Sequence, residues 1–393
     1  MKKLIALLLS LAFGLQLAAC GAAPASGGSA PASEPASAAA DGTVQAEGML
    51  WPVTPLPEKT KLTVSYLANS TAEAVTYLAQ QKGWLEACNL EVEMVYFAGG
   101  PAQMEASTSW DVGTSGIGGM ITGLLNYDIR CLGVVSLDRG LYQAFFARKD
   151  SPIVQAGTGH SAVDGVYGTA ETWKGAKVLT ATGTANQYTL YHTLKSFGLN
   201  LSDVEVVNMD VATIPTAFLA GEGDVGGIQG LTIQDPVFQG EDSEYVMVSS
   251  DQLLQCGLPV NYVATARALE EKQQAVELWL ELAMMAGEYA NANQEEVAAM
   301  MVDMYAMDGY ETKEEDNLVM IQDNPFISVA DNYAYFTEKS EDGTMLEAEA
   351  QIYEAMQGYV EMGNYTADQL DALITGETFL PGPVTQTYEH AQQ

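Results

Sequence analysis

Apolar positions in this chain fall into short runs that alternate with amphipathic stretches, the pattern of strands followed by helices. Leu62-Thr63-Val64-Ser65-Tyr66 alternates with the two-residue period of a strand, and Ser70-Thr71-Ala72-Glu73 has the S-x-x-E spacing of a capping box, which predicts a helix running to Gly83. Residues 90–97 predict a second strand, 111–114 a third and 131–137 a fourth, with helix-compatible segments between them. The rhythm restarts with a strand over 177–181, a helix over 186–197 closed by Gly198 and a strand over 204–208. A helix near 215–220 and a strand over 224–228 complete this second series, so two α/β units are expected. From Leu269 onward the spacing is almost wholly helical, acidic and rich in Ala and Met, which predicts a helical C-terminal region.

The N-terminus follows a different logic. Lys2 and Lys3 precede an apolar run over 4–17, the order of charge and grease in a secretory signal. That run is shorter than the roughly 20 residues a transmembrane helix needs. It ends in Leu17-Ala18-Ala19-Cys20, which resembles the lipobox of bacterial lipoproteins. Residues 1–19 are therefore expected to be removed as a signal peptide and Cys20 to carry the lipid; the plainer alternative is an ordinary signal cut near Ala19 that leaves a free thiol. Residues 20–57 are dominated by Ala, Ser, Pro and Gly and cannot bury enough surface to offset their ordering entropy. They are expected to form a flexible tether with a mean reach of roughly 30 Å, although Leu50 and Trp51 could dock on the head.

With 393 residues the chain exceeds what one core usually organises, so two lobes are expected. Sixteen Lys and Arg against 51 Asp and Glu give a net charge of −35, which repels phosphate backbones and excludes nucleic acid as a partner. Cys88, Cys131 and Cys256 are too widely spaced for a zinc or redox motif and allow one disulfide at most. The three histidines, His160, His192 and His390, are too scattered for a metal cluster. Gly113-Thr114-Ser115-Gly116-Ile117 lacks the last glycine of a nucleophile elbow, and Gly116-Ile117-Gly118-Gly119-Met120-Ile121 lacks that of a dinucleotide fingerprint. No enzymatic activity, cofactor or metal is expected.

Gln81-Lys82-Gly83-Trp84-Leu85, Ser109-Trp110-Asp111-Val112-Gly113, Trp173-Lys174-Gly175 and Gly183-Thr184-Ala185 follow one another in an order that resembles the nitrate, sulfonate and taurine group of periplasmic-binding proteins, whose fold is shared by pyrimidine-precursor synthases. Gln81-Lys82-Gly83-Trp84-Leu85 followed by Leu90-Glu91-Val92 is similar to the end of the family's first helix and its second strand. Ser109-Trp110-Asp111-Val112-Gly113-Thr114-Ser115-Gly116 resembles its D-I-G turn. Arg148-Lys149-Asp150-Ser151-Pro152, Trp173-Lys174-Gly175-Ala176-Lys177-Val178, Gly183-Thr184-Ala185 and Gly221-Glu222-Gly223-Asp224-Val225 resemble its crossing strand, second-lobe entry, phosphate-loop-like turn and repeated acidic strand start. The likeness spans about residues 61–267, and the chain departs from it in a longer loop over 153–172 and at Gln229-Gly230.

What the resemblance implies is an α/β, two-lobed type II periplasmic-binding-protein fold, each lobe a mostly parallel sheet flanked by helices. Lobe one would comprise residues 58–144 plus 263–380 and lobe two residues 145–262, with 381–393 as a tail. The function implied is that of the extracytoplasmic substrate-binding component of an ABC importer. It would act as a monomer, lipid-anchored to the bacterial cell membrane, and pass a small solute to permease subunits. The solute could be a sulfonate, a nitrate-like or other anion, or a heterocyclic vitamin precursor. A sensory or scaffold lipoprotein on the same fold is the alternative, with a relative of the pyrimidine-precursor synthases behind it.

In such a fold ligands sit where strand ends meet helix N-termini, because unpaired N–H groups and the helix dipole face that space. In lobe one this places Tyr66, Asn69, Ser70, Thr71, Thr114, Ser115 and Gly116 near the cleft. In lobe two it places Thr184, Ala185, Asn186, Tyr188 and Gln229 there, and close to the hinge Arg139 and Asn261, with Asp138 and Tyr142 alongside. Each has a duller reading. Ser70 with Glu73 is accounted for as a capping box, Thr184 as a helix cap, the glycines after Ser115 as packing residues, and Arg139 as the partner of Asp138.

Overall fold

The structure, a computed structural model, describes residues 42–68, 70–373 and 378–393 together with the backbone at 37–38. The signal peptide, Cys20, most of the tether and Asn69 lie outside the described residues.

Ten strands and seven of the helices set the frame. In chain order they are β1 (Thr60–Leu67), α1 (Ala74–Gln81), β2 (Leu90–Phe97), β3 (Val112–Gly116), α2 (Ile117–Asn126), β4 (Ile129–Ser136) and β5 (Gln143–Arg148). Then come β6 (Lys177–Thr180), α3 (Ala185–Lys195), β7 (Glu205–Asn208), β8 (Val225–Gln229), β9 (Tyr245–Ser250) and β10 (Val260–Thr265). The C-terminal region supplies α4 (Ala266–Ala292), α5 (Gln294–Met307), α6 (Glu347–Glu361) and α7 (Pro381–Ala391), with shorter helices between.

The strands form two five-stranded sheets, ordered β2-β1-β3-β10-β4 and β9-β5-β8-β6-β7. Both sheets are mixed, and the expectation of mostly parallel sheets holds in that four of the five strands in each point the same way. β1 runs parallel to β2 and β3, whereas β10 runs antiparallel to β3 and β4. In the second sheet β8 and β6, and β6 and β7, are parallel, while β5 is antiparallel to β8 and β9. The antiparallel members are the strands next to the two crossings, which must run back against the βαβ direction. The crossings lie at 137–142 and 251–259, so the lobe boundaries expected at 144/145 and 262/263 fall inside β5 and β10, each of which belongs wholly to one sheet.

Leu62 and Val64 of β1 are buried and join the core of the first lobe, while Ser65 is buried on the other side of the strand. The C-terminal helices complete that core: Trp279 and Met285 of α4, Met301 and Tyr305 of α5, Met356 and Tyr359 of α6 and Val384 of α7 belong to it. Residues 381–393, expected as a tail, thus contain a packed helix. The second sheet carries a separate apolar cluster around Phe145, Trp173 and Leu190 and another around Phe146, Phe218 and Phe238, because Phe145 and Phe146 point to opposite faces of β5.

Residues 42–57, read from composition as the end of the tether, are packed chain. Val44 and Val53 pair, and Met49, Trp51, Val53 and Leu56 are buried in the first lobe. Trp51 is 7% exposed and its Nε1–H donates to Glu281 of α4 at 3.0 Å, while His390 of α7 meets the same carboxyl at 3.0 Å. Five buried apolar side chains among these sixteen residues, Val44, Met49, Trp51, Val53 and Leu56, were enough to overcome the Ala/Ser/Pro bias. No helix of the described residues is long and apolar enough to cross a membrane.

Candidate functional site

The C-terminal ends of β1 and β3, the N-termini of α2 and α3, and the two crossings surround a cleft of about 700 Å³, part of it open to solvent. Its floor comes from lobe one. β3 ends in Thr114, Ser115 and Gly116, where the backbone enters α2 with no side-chain cap on its first N–H groups. Behind that turn Gln103 is fully buried, its Nε2 donating to Ser65 Oγ at 2.8 Å and to the Thr114 carbonyl at 2.9 Å, which pins β3 against β1. Lobe two contributes Thr184, whose Oγ1 donates to the Ala181 carbonyl at 2.8 Å and accepts the Asn186 N–H at 3.2 Å. The two walls touch: a Cβ at Gly118 would lie 2.0 Å from the Gly183 carbonyl oxygen, so only glycine permits this approach.

Near the hinge the cleft is walled by Asp138, Tyr142 and Gln143. Asp138 takes the left-handed conformation with φ 41°, and its Oδ1 accepts the Ser136 hydroxyl at 2.7 Å. Burial raises its carboxyl to about 6. Asp251, at the start of the second crossing, accepts the backbone N–H groups of Tyr142, which ends the first crossing, and of Gln143, which opens β5, and burial pushes it up to about 8 against those donors. Gly257 lets the crossings meet, since a Cβ there would lie 2.0 Å from the Asp138 carbonyl.

Of the residues expected at the site, Ser70, Thr114, Ser115, Gly116, Thr184, Ala185 and Gln229 line this cleft, and Asn69 lies outside the described residues. The others are placed elsewhere. Asn186 is buried behind the wall, accepting from Thr180 Oγ1 at 2.7 Å and donating to Gln143 Oε1 at 3.1 Å, so it positions Gln143. Asn261 is buried in β10 with its amide on the Pro259 carbonyl, and Thr71 is buried in the helical turn before α1. Arg139 and Tyr188 line a different cavity with His192, Glu347 and Glu354; the left-handed turn at Asp138 sends successive side chains to opposite sides.

Tyr66 also leaves the cleft, and with it the capping box is revised. Ser70 Oγ accepts the Ala72 N–H at 3.3 Å, but Glu73 does not reach back. It is buried against Asp308, just after α5, and the Tyr66 hydroxyl donates to Asp308 Oδ1 at 3.2 Å. Burial and the neighbouring Asp308 carboxyl hold Glu73 well above the usual carboxylate range. Cys88, Cys131 and Cys256 are unpaired, and among the described residues no three His, Cys, Asp or Glu side chains form a metal-holding group.

Two α/β lobes joined by two crossings, with helix N-termini from both facing one cleft, define the periplasmic-binding-protein fold. Residues 161–297 match the family model described as NMT1/THI5 like. An ABC transporter periplasmic binding protein of Brachyspira hyodysenteriae is 22% identical over 273 residues, covering 69% of this chain and 77% of that protein. Among solved structures, the alkanesulfonate-binding protein SsuA of Xanthomonas axonopodis pv. citri, bound to MOPS, superposes with a TM-score of 0.58 over 84% of this chain and 99% of its own, at 15% identity. The periplasmic nitrate-binding protein NrtA of Synechocystis gives 0.63 over 85% and 89%, at 12% identity. The chain thus shares the fold of these binding proteins, the fold that the order of its motifs implied.

Proposed function

We propose that this protein is the extracytoplasmic substrate-binding component of an ABC importer, held at the membrane by a lipid on Cys20 and working as a single chain. The observation that carries the reading is the cleft: its walls come from both lobes and meet at Gly118 and Gly183, while among the described residues the backbone passes between the lobes at two crossings, held together by Asp251. That geometry suits rotation about a hinge, so that a ligand selects the closed form and the closed form is what a permease recognises. The described lining offers hydroxyls, amides and one carboxyl but no His or Cys, which favours capture over turnover. The structural neighbours' named ligands, MOPS for the alkanesulfonate-binding protein and nitrate for the other, are small solutes of the kind that a cleft between two lobes takes.

The test is uptake. Small molecules released on denaturing the purified chain are identified by mass spectrometry, and import of the labelled compound is compared in cells with and without the gene. Loss of import on deletion supports the reading, and unchanged import of a compound that binds tightly would transfer the protein to a sensory role. Cys20→Ala should move the protein out of the membrane fraction.

A further inference from the structure

Resting on the receptor reading above, we propose that the cleft takes a small organic cation, a ligand carrying a protonated nitrogen, with Asp138 as its counter-charge. Among the described residues that line the cleft, Asp138 is the only one with a charged side chain, and no Lys, Arg or His accompanies it. It is 9% exposed. Its Oδ1 is satisfied by Ser136, while Oδ2 takes no hydrogen bond from any described residue. Arg139, the neighbour in sequence, faces another cavity. A buried carboxylate with no cation is costly unless something neutralises it, and a cationic ligand would do so in the space Asp138 faces.

The surroundings carry the same sign. Asp251, buried on the adjoining crossing, is close enough to Asp138 for the two to repel. Next to Ser70, the Glu73 and Asp308 carboxyls lie against each other, and Glu73 Oε1, Asp308 Oδ2 and the Tyr305 hydroxyl are buried without a partner. Val211 and Gln229 are shared with a second cavity, whose charged lining residues are Asp235, Glu311, Asp316 and Lys313. A free anion would meet acidic groups along this route. The starts of α2 and α3 do favour negative charge, but the chain itself uses part of that capacity: Thr184 accepts the Asn186 N–H, and Gln187 Oε1 accepts that of Gly183 at 2.7 Å. What remains, chiefly at the uncapped start of α2, suits a carbonyl or hydroxyl at the far end of the same ligand.

Thermal shift and calorimetric titration of the purified full chain test this with putrescine, choline, ethanolamine and benzamidine, set against ethanesulfonate, acetate and nitrate. The expected result is saturable stabilisation by at least one cation, weakened tenfold or more in Asp138→Asn. Benzamide against benzamidine, and 3,3-dimethylbutanol against choline, read the charge in the unaltered protein, so the comparison stands even if the variant folds poorly. Three results overturn the proposal: saturable stabilisation by an anion, a neutral isostere binding as well as its cation, or no response to any cation. The receptor reading has its own readout in uptake, so the two can fail separately.

Discussion

The Asp251 carboxylate accepts the backbone N–H of Gln143 at 2.8 Å, linking residues 108 positions apart and tying one lobe crossing to the other. Tyr142 N–H reaches the same carboxylate at 3.2 Å. Asp251→Ala would leave these buried donors without an acceptor, at a cost of about 1–3 kcal/mol. Asp251→Asn keeps one acceptor oxygen and should lose less. Denaturant unfolding of both variants checks this, and equal stability of Asp251→Ala and the parent would show that the tie does not hold the hinge.

Stability should be greatest on the acid side of neutrality. Burial raises Asp138 to about 6 and Asp251 to about 8, and it also raises Glu73, Asp308 and Glu281. For each, the folded pKa lies above the ordinary value, so its contribution is complete below that value and is lost as pH rises through the folded one. Asp111 has the opposite sign: burial alone would raise it, but Lys272, the Thr63 N–H and Arg267 hold it low, so its contribution is lost only in acid. Calorimetric melting should therefore peak near pH 5 and fall toward pH 9, with a smaller fall between pH 7 and 9 in Asp251→Asn. A melting temperature that climbs from pH 5 to 9 contradicts the assignment.

Asp111 precedes β3 and is nearly inaccessible, yet it meets Arg267 at 3.0 Å and Lys272 at 2.8 Å, both on α4. Lys272 also donates to the Lys61 carbonyl and departs from helical geometry at φ −138°, so the kink in α4 sits where this side chain reaches into the sheet. Asp111→Ala removes the acceptor of both cations. Because Arg267 and Lys272 keep solvent contact, the expected loss is about 2–3 kcal/mol, below that of a fully buried pair. Guanidinium melts measure it.

The βαβ rhythm was legible because strand runs, caps and glycine stops are local. The strand expected over 90–97 is β2 without change, and the helix expected from Asn186 begins one residue earlier. β5 was expected only as the crossing strand at 148–152, five residues too late, because Gln143–Arg148 has no two-residue alternation, and β9 escaped notice, because Tyr245–Ser250 gains its place only by pairing with β5. The cleft loops were readable for the same local reason, as Thr114 to Gly116 and Thr184 show. Asp138 was legible as a hinge residue, whereas Gln143 and Asp251 were not, because their roles depend on distant partners. Glu73 fits a capping box in sequence, and what displaces that reading is Asp308, whose other partner Tyr66 is 242 residues away.

The docking of residues 42–57 depends on Trp51. Trp51→Phe keeps the ring but removes the N–H to Glu281, for a loss of about 1 kcal/mol. Trp51→Ala also empties a core position, for about 3–5 kcal/mol, and should expose 42–57 to thermolysin while the parent resists. Cleavage at equal rates in parent and Trp51→Ala would place the anchor elsewhere.

Gly118→Ala separates closure from folding. In α2 the added methyl favours the helix by up to about 1 kcal/mol, but its Cβ would sit 2.0 Å from the Gly183 carbonyl oxygen and 3.1 Å from Thr184 Cα. Gly183 and Thr184 are backbone at the start of α3 and cannot swing aside as a flexible side chain would. The lobes must then part by an ångström or more where the cleft walls meet. The variant should melt at or near the parent temperature while small-angle scattering gives a larger radius of gyration, and binding should weaken by tenfold or more. An unchanged radius with unchanged affinity would mean that α3 shifts within its own lobe, and that the Gly118 contact does not limit closure.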